Sequence, residues 1–372
     1  MKFKCSKEEL IKGLNSVSKT VATKTTLPIQ EGILIETVGG SIKLITNDLE
    51  IGTEYILKAE IETNGVTVVD MKTFNEIIRK IESNEITFEV KDGIFVIKST
   101  SGIFKLQTMN ADEYKRLPVF NVDKQIELSQ KVFKDMVKKT VFSASTDMNR
   151  PVYTGVLITV NGSVINVVAI DGFRMAIKKE ILDSYTNDFK AIIPAKVLTE
   201  VIKSLEDEDD AKIRIGVNRN QALFEMDECT VVSRIIDGEF LNYNNVLPAE
   251  ADTKVTINRK KFLEAIERVA IFSKDVSEKD KKVPVKVSIQ MDAIEVSCVS
   301  VTGDAKEVVN SVVEGKNLEI GFNPRYLMEA LRVIDDEDIQ MEFSTSVSPL
   351  IIKPIAGNTY IYMVLPVKLK DE

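Results

Sequence analysis

A chain of 372 residues has room for two or three domains of roughly 100–150 residues each. Its 44% hydrophobic and 28% charged content is an ordinary soluble globular balance, and no run of about 18 apolar residues offers a membrane span. Histidine is absent, which excludes a Ser-His-Asp triad, a Cys-His dyad and a His-ligated zinc site, and the net charge of −8 argues at first against nucleic acid.

The opening residues, Met1 to Cys5, run into a strand-like and then a helical pattern without the apolar core of a signal peptide, so a cytoplasmic location is expected. Apolar residues at helical spacing predict a first helix over 6–20. Gly39-Gly40, between two strand-like runs, reads as a hairpin turn, and Ile42–Asp48 has the alternation and β-branched content of a half-buried strand. Helices follow over 72–82 and 128–144, then a strand at Ile165–Asp171 and a helix over 195–207. The acidic run 206–210 after it reads as a solvated turn, with a divalent-cation site as the alternative. A helix over 258–273, a strand at Ile294–Ser300 and a helix over 324–336 complete the succession. Cys5, Cys229 and Cys298 are far apart with no CxxC pair, and read as buried free thiols. Neither GxxxxGK[ST] nor GxGxxG occurs, so no phosphate-binding loop is indicated.

These elements repeat. Leu10, Phe133 and Phe262 hold equivalent places in the first, third and fifth helices, at offsets of 123 and 129. Phe74, Val197 and Tyr326 do so in the second, fourth and sixth helices at the same offsets, 64 residues after the first anchor each time. The strands at Ile42, Ile165 and Ile294 keep that spacing too. The chain therefore reads as three tandem copies of one unit, 1–124, 125–251 and 252–372, each built as helix, strands, helix, strands. The fold class is α+β, with helices against antiparallel sheet. Units of this size can bury their own cores, and a head-to-tail arrangement with constant rotation closes into a ring, of six domains if two chains join.

Charge is unevenly spread. The six predicted helices carry 18 Lys/Arg and 13 Asp/Glu, a net of +5, which leaves −13 for the rest of a chain of −8. Lys131, Lys134, Lys138 and Lys139 form the strongest cluster. Helices facing one common surface would make that surface positive; the alternative is that helix surfaces carry more charge of both signs. No recognition-helix or aromatic RNA-binding motif is present, so any DNA contact would be with phosphate and independent of sequence.

The repeat and four short segments resemble the bacterial sliding clamp family, the β subunit of DNA polymerase III. Lys24-Thr25-Thr26-Leu27-Pro28-Ile29 is similar to an early family segment, with Gln30 where Leu is usual. Ala169–Met175, Gly321–Leu327 and Tyr362–Leu369 resemble three further ones, in family order and spacing. The resemblance implies the DNA clamp fold: a head-to-tail homodimeric ring around duplex DNA, with helices lining the hole and sheets forming the outer wall. It implies a processivity factor with no catalytic residue, cofactor or metal, whose partners are DNA, the replicative polymerase α subunit, the clamp loader and other proteins carrying clamp-binding motifs. The basic bias of the helices then gives Lys72, Arg79, Lys80, Lys134, Lys138, Lys139, Lys196 and Lys203 as candidates for DNA contact, with Lys24 and Arg150 beside them outside the predicted helices.

By resemblance, a partner-peptide pocket lies between the second and third domains. Its candidates are Arg150, Tyr153, Ile170, Gly172, Phe173, Arg174, Met175, Leu241, Asn245 and Val246, with Asn323, Tyr326, Val347 and Pro349. Met363, Val364, Leu365, Pro366, Val367 and Lys368 complete it from the C-terminal run. Met175, Leu241, Val246, Met363 and Leu365 are expected as adaptable apolar wall. Phe173 stands in place of a common His or Tyr, Leu365 in place of Met, and Asn245 in place of a basic residue of some members. Family matching also puts Phe104 and Leu106 on one side of a dimer interface, and Ile271 and Phe272 on the other. Two alternatives stand beside this reading. One is a metal-dependent nucleic-acid enzyme, which would need converging carboxylates; Asp48 and Asp171 are equivalent by repeat but Ser300 holds the third place, which favours a turn role. The other is a protein scaffold that binds no DNA.

Overall fold

The computed structural model describes residues 1–22, 25–117, 120, 123–183, 188–248, 250–273 and 283–369. One succession of elements occurs three times. The first is β1 (Lys2–Ser6), α1 (Lys7–Val17), β2 (Gly32–Val38), β3 (Ser41–Asn47), β4 (Ile51–Lys58), β5 (Glu60–Thr63), β6 (Val66–Asp70), α2 (Met71–Lys80), β7 (Glu85–Lys91), β8 (Ile94–Lys98) and β9 (Ile103–Gln107). The second is β10 (Lys124–Ser129), α3 (Gln130–Lys138), β11 (Gly155–Asn161), β12 (Val164–Ile170), β13 (Arg174–Ile181), β14 (Phe189–Pro194), α4 (Ala195–Val201), β15 (Lys212–Val217), β16 (Gln221–Met226) and β17 (Cys229–Arg234). The third is β18 (Thr253–Asn258), α5 (Arg259–Val269), β19 (Val285–Gln290), β20 (Ala293–Ser300), β21 (Gly303–Glu314), β22 (Leu318–Phe322), α6 (Pro324–Val333), β23 (Asp338–Phe343), β24 (Leu350–Pro354) and β25 (Tyr360–Val364).

Local chemistry sets the element ends. Asp70, Asn258 and Asn323 each accept a backbone N–H of the helix they precede, and Pro324 occupies the first turn of α6, where its missing donor costs nothing. Gly39 and Gly40 both have positive φ, 53° and 86°, which the two-residue turn between β2 and β3 requires. The helices are shorter at their C-terminal ends than the apolar spacing predicts. α1, α3 and α5 give way to 3₁₀ turns at 18–20, 141–143 and 270–273, and α4 ends at Val201 with bonds from Lys203 and Ser204 to the third residue back. In α3 the cause is local: the Thr140 hydroxyl donates to the Met136 carbonyl at 2.8 Å and competes with the helical ladder.

The chain groups into two compact units, residues 1–133 with 196–235, and 134–195 with 236–372. The first holds a five-stranded sheet, β5-β1-β7-β8-β9, and an eight-stranded sheet, β10-β15-β16-β17-β4-β3-β2-β6. Here Leu10, Leu14 and Val17 of α1 are fully shielded, and Phe74 of α2 packs edge-on to Phe88 and Phe95. The second holds one twelve-stranded sheet, β14-β11-β12-β13-β25-β24-β23-β18-β21-β20-β19-β22. Its largest core joins Phe262, Ala265 and Ile266 of α5 to Leu327, Ala330 and Leu331 of α6 and to the inward residues of β19, β20 and β23. Each large apolar side chain so buried contributes roughly 1.5–3 kcal/mol. Two pairings cross the repeat boundaries read from the sequence: β17 runs antiparallel to β4, and β13 to β25. Cys5, Cys229 and Cys298 are free and buried. No helix among the described residues is long and apolar enough to cross a membrane.

Candidate functional site

In the second unit, the turn between β12 and β13 is built around Asp171. Its Oδ1 accepts the backbone N–H groups of Phe173 (2.8 Å) and Arg174 (3.0 Å), and Gly172 supplies a φ of 93°. The equivalent Asp48 accepts from Glu50 and Ile51, and the Ser300 hydroxyl accepts from Thr302. All three thus serve turns, as the substitution of Ser for Asp in the third repeat suggested. Asp171 also binds Arg174 Nε at 3.0 Å through its second oxygen. Arg174 is buried, and its remaining nitrogens donate to Glu329 and to the Phe142 carbonyl (2.7 Å). Its guanidinium carbon lies 4.5 Å from the ring centre of Tyr326 and 5.4 Å from that of Phe142.

The expected pocket residues divide by burial. Met175, Ile170, Met363 and Phe240 belong to one buried cluster with Ile351, against which Tyr153, Tyr243 and Leu247 pack. β13 and β25 pair Arg174 with Val364 and Met175 with Met363, and Val364 is wholly buried. Beyond the end of that ladder Leu365 N–H donates to the Phe173 carbonyl at 2.8 Å, and Val367 N–H to the Gly321 carbonyl at 2.8 Å, so the C-terminal run is stitched down at two points. The exposed apolar groups among them are Phe173, 61% exposed, with Leu241, Val246, Leu365, Val367 and Val347. Phe173 stacks on Tyr326, ring centres 6.5 Å apart. Arg150, Gly172, Asn245 and Lys368 are exposed, while Tyr153, Pro349 and Pro366 are half-buried; Asn323 is half-buried and engaged as the α6 cap.

Two expectations change. Met175 is not accessible wall: its exposure is 0%, because alternation along β13 turns it into the cluster with Met363 and Ile351. Arg174, named as a pocket candidate, is buried, and each of its nitrogens already has a partner within the unit. Sequence reasoning also missed Phe142 and Glu329, which hold Arg174 from 32 and 155 residues away, a separation that leaves no local signal. A cavity of about 350 Å³ beside Pro349 was missed as well; Pro248, Lys254, Glu342, Ile351 and Lys353 help to line it.

Of the candidates for DNA contact, Lys72, Arg79 and Lys80 are exposed on α2, Lys138 on α3, Lys196 on α4, and Lys203 just beyond it. Arg79 is steadied by Asn75 and Asn15, Lys196 stands 3.6 Å from Asp48, and Lys203 pairs with Glu200 at 2.8 Å. Lys134 is half-buried, and Lys24 lies outside the described residues. Lys139 departs from the expectation. Its side chain is only 14% exposed and is held between Asp135 (2.7 Å) and Asp335 (2.9 Å). Burial works against its charge, but the two carboxylates outweigh it and raise its pKa. The six observed α-helices carry 15 Lys/Arg and 8 Asp/Glu, a net of +7, so −15 falls on the rest of the chain. In the run 206–210 every residue is exposed and Asp209 pairs with Lys131 at 2.7 Å. Among the described residues no group of three or more His, Cys, Asp or Glu is arranged to hold a metal ion.

For the expected interface, β9 ends the five-stranded sheet and exposes Ile103 and Phe104, with Leu106 half-buried. Ile271 is 65% exposed in the turn after α5. Phe272 is half-buried against the core, with its ring over Gly303. β21 pairs with β20 through 303–310 and with β18 only through 311–314, so its 303–310 stretch has no second neighbour among the described residues.

Comparison with known proteins agrees along the whole chain. Family models for the N-terminal, central and C-terminal domains of the DNA polymerase III beta subunit match residues 1–118, 127–242 and 244–368. The beta sliding clamp of Halalkalibacterium halodurans is 30% identical over 384 residues, spanning 99% of this chain and 100% of the relative. That of Bacillus subtilis is 30% identical over 382 residues, with the same coverage. A crystal structure of the Bacillus subtilis DNA polymerase sliding clamp superposes with a TM-score of 0.94 at 29% identity, covering 100% of both chains. One from Pseudomonas aeruginosa gives 0.94 at 25% identity, covering 99% of this chain and 100% of that one. The chain belongs to the family of DNA polymerase III beta subunits, the beta sliding clamps.

Proposed function

We propose that two copies of this chain close head to tail around duplex DNA and tether the replicative polymerase, as a processivity subunit without chemistry of its own. The observation that carries this reading is the full-length match to three consecutive beta-subunit domains. The charge distribution supports it: lysines and arginines gather on the helices of an acidic chain, and flexible cations across a wet gap attract phosphate without fixing a register. Strand β9 and the 303–310 stretch of β21 offer unpaired edges, and such edges invite pairing with a second chain. Phe104, Leu106, Ile271 and Phe272 flank that contact.

The rim of Phe173, Leu241, Val246, Leu365 and Val347 serves as the groove for extended peptides of the polymerase α subunit, the clamp loader and other clamp-binding proteins. Apolar side chains at a rim give adaptable contact, and exposed backbone at a strand end gives register. The work takes place in the cytoplasm. Primer extension on a long single-stranded circle, with the cognate polymerase and clamp loader, tests the proposal. Products should lengthen several-fold when the chain is added and a challenger template prevents rebinding. Unchanged product length would overturn it.

A further inference from the structure

Arg174 has five N–H donors on three nitrogens. Nε reaches Asp171, Nη2 reaches the Phe142 carbonyl, Nη1 reaches Glu329, and the rings of Phe142 and Tyr326 lie against the group. A guanidinium so engaged has little left to offer an incoming chain. What it does is fix its neighbours: the turn that carries Phe173, through Nε and the second Asp171 oxygen, and the Tyr326 ring on which Phe173 stacks.

Glu329 stands three residues after Tyr326 on α6, on the same helix face. Its two oxygens are divided between Arg174 and Arg325, the latter at 2.7 Å. Burial alone would raise the Glu329 pKa, but the bonds from Arg325 and Arg174 outweigh it and hold the carboxyl below its ordinary 4.5, charged at neutral pH. The Tyr362 hydroxyl, donating to the Tyr326 carbonyl at 2.9 Å, ties the same stretch of helix to β25.

We infer that Glu329 is a positioning residue for the partner groove: it holds Arg174 against Tyr326, and so sets the Phe173–Tyr326 wall on which an apolar side chain of the partner docks. The inference rests on the groove reading above. Glu329 need not touch the partner; it acts through Arg174. Preorganised walls bind more tightly because less ordering is left to be done on binding.

The test is surface plasmon resonance against the cognate replicative polymerase α subunit. Leu365→Asp, on the rim itself, should abolish binding. Glu329→Gln should weaken it by about tenfold, mostly through faster dissociation, because the neutral amide keeps one acceptor oxygen for two guanidinium groups and loses the charge that holds Arg174. The double variant E329Q with R174Q should bind no worse than R174Q alone, a result that a general structural defect would not give. Asp335→Asn breaks an ion pair just beyond the end of the same helix without reaching Arg174, and should leave affinity unchanged. The chain has no Trp, so Phe173→Trp provides a single fluorescent reporter of the wall, whose emission should shift when E329Q is added. If E329Q does not fold, Glu329→Asp keeps the charge one methylene short and should weaken binding several-fold. Parental affinity in the folded Glu329 variant, or full additivity with R174Q, overturns the inference. Retained affinity in L365D would instead overturn the groove reading.

Discussion

Gln30 is the residue at which burial and hydrogen bonding disagree most plainly. It lies in the 3₁₀ turn 28–31, is 1% exposed, and neither Nε2 nor Oε1 of its side chain has a hydrogen-bond partner among the described residues. Its backbone is satisfied: N–H donates to the Leu27 carbonyl at 2.9 Å and the carbonyl accepts from Ala22 at 3.3 Å. Replacing Gln30 by Leu leaves those bonds in place and removes a desolvated amide of nearly the same size. An unsatisfied buried polar group costs roughly 1–3 kcal/mol. At about 2–4 °C per kcal/mol, Gln30→Leu should raise the melting transition by about 2–12 °C. A chain of several domains need not unfold in one step, so calorimetry should follow the transition that moves, and urea titration should show a higher midpoint with an unchanged slope. A melting temperature equal to or below that of the parent would refute the reasoning, because it would mean that the amide has a partner worth its desolvation.

Three further outcomes follow from the same geometry. Ile271→Ala, at an exposed position, should shift the dimer–monomer equilibrium toward monomer in analytical ultracentrifugation with little change in melting, whereas Phe272→Ala should do both because its ring also covers the core; a dimer that withstands dilution in both variants would remove these residues from the interface. Replacing Lys72, Lys80 and Lys138 together by Ala should weaken DNA association and flatten its salt dependence, by roughly 0.9 log units of slope for each phosphate that is no longer neutralised, while Lys139→Ala should lower stability instead; an unchanged slope in the triple variant would move the DNA surface elsewhere. Met175→Asp should destabilise the fold by several kcal/mol, since it buries an unpaired carboxylate at a position with no exposure, and a variant that melts like the parent would contradict that burial.

The repeat was legible because packing enforces it. Leu10, Phe133 and Phe262, and Phe74 and Val197, sit at nearly zero exposure, and a position that must fill the same space in each repeat keeps its residue class and spacing. Tyr326 is the exception among the six anchors: it is half-buried and lies against Arg174 and Phe173. The turn role of Asp48, Asp171 and Ser300 was readable for the same reason, as each chemistry accepts the same backbone donors. The ends of α1, α3 and α5 were overrun because the chain runs on into 3₁₀ turns, whose winding helical spacing does not tell apart from an α-helix. The strand pairs β4–β17 and β13–β25 left no trace in local pattern, since edge pairing is decided by partners more than a hundred residues distant. Charge counting found the basic helices but could not see that Lys139 meets Asp335 across 196 residues of chain. For the proposed groove, the family resemblance named the segments, yet only the fold separates buried Met175 from exposed Leu365.

The most direct measurement of the central claim is topological. The chain is radiolabelled, loaded by its clamp loader onto a nicked circular plasmid, and separated from free protein by gel filtration. A closed ring threaded by duplex has no end to leave by, so the label should remain with the circle through high salt that dissolves phosphate contacts, and should be released once a restriction enzyme linearises the DNA. Label that stays equally well on linear DNA, or that high salt strips from the intact circle, would contradict encirclement.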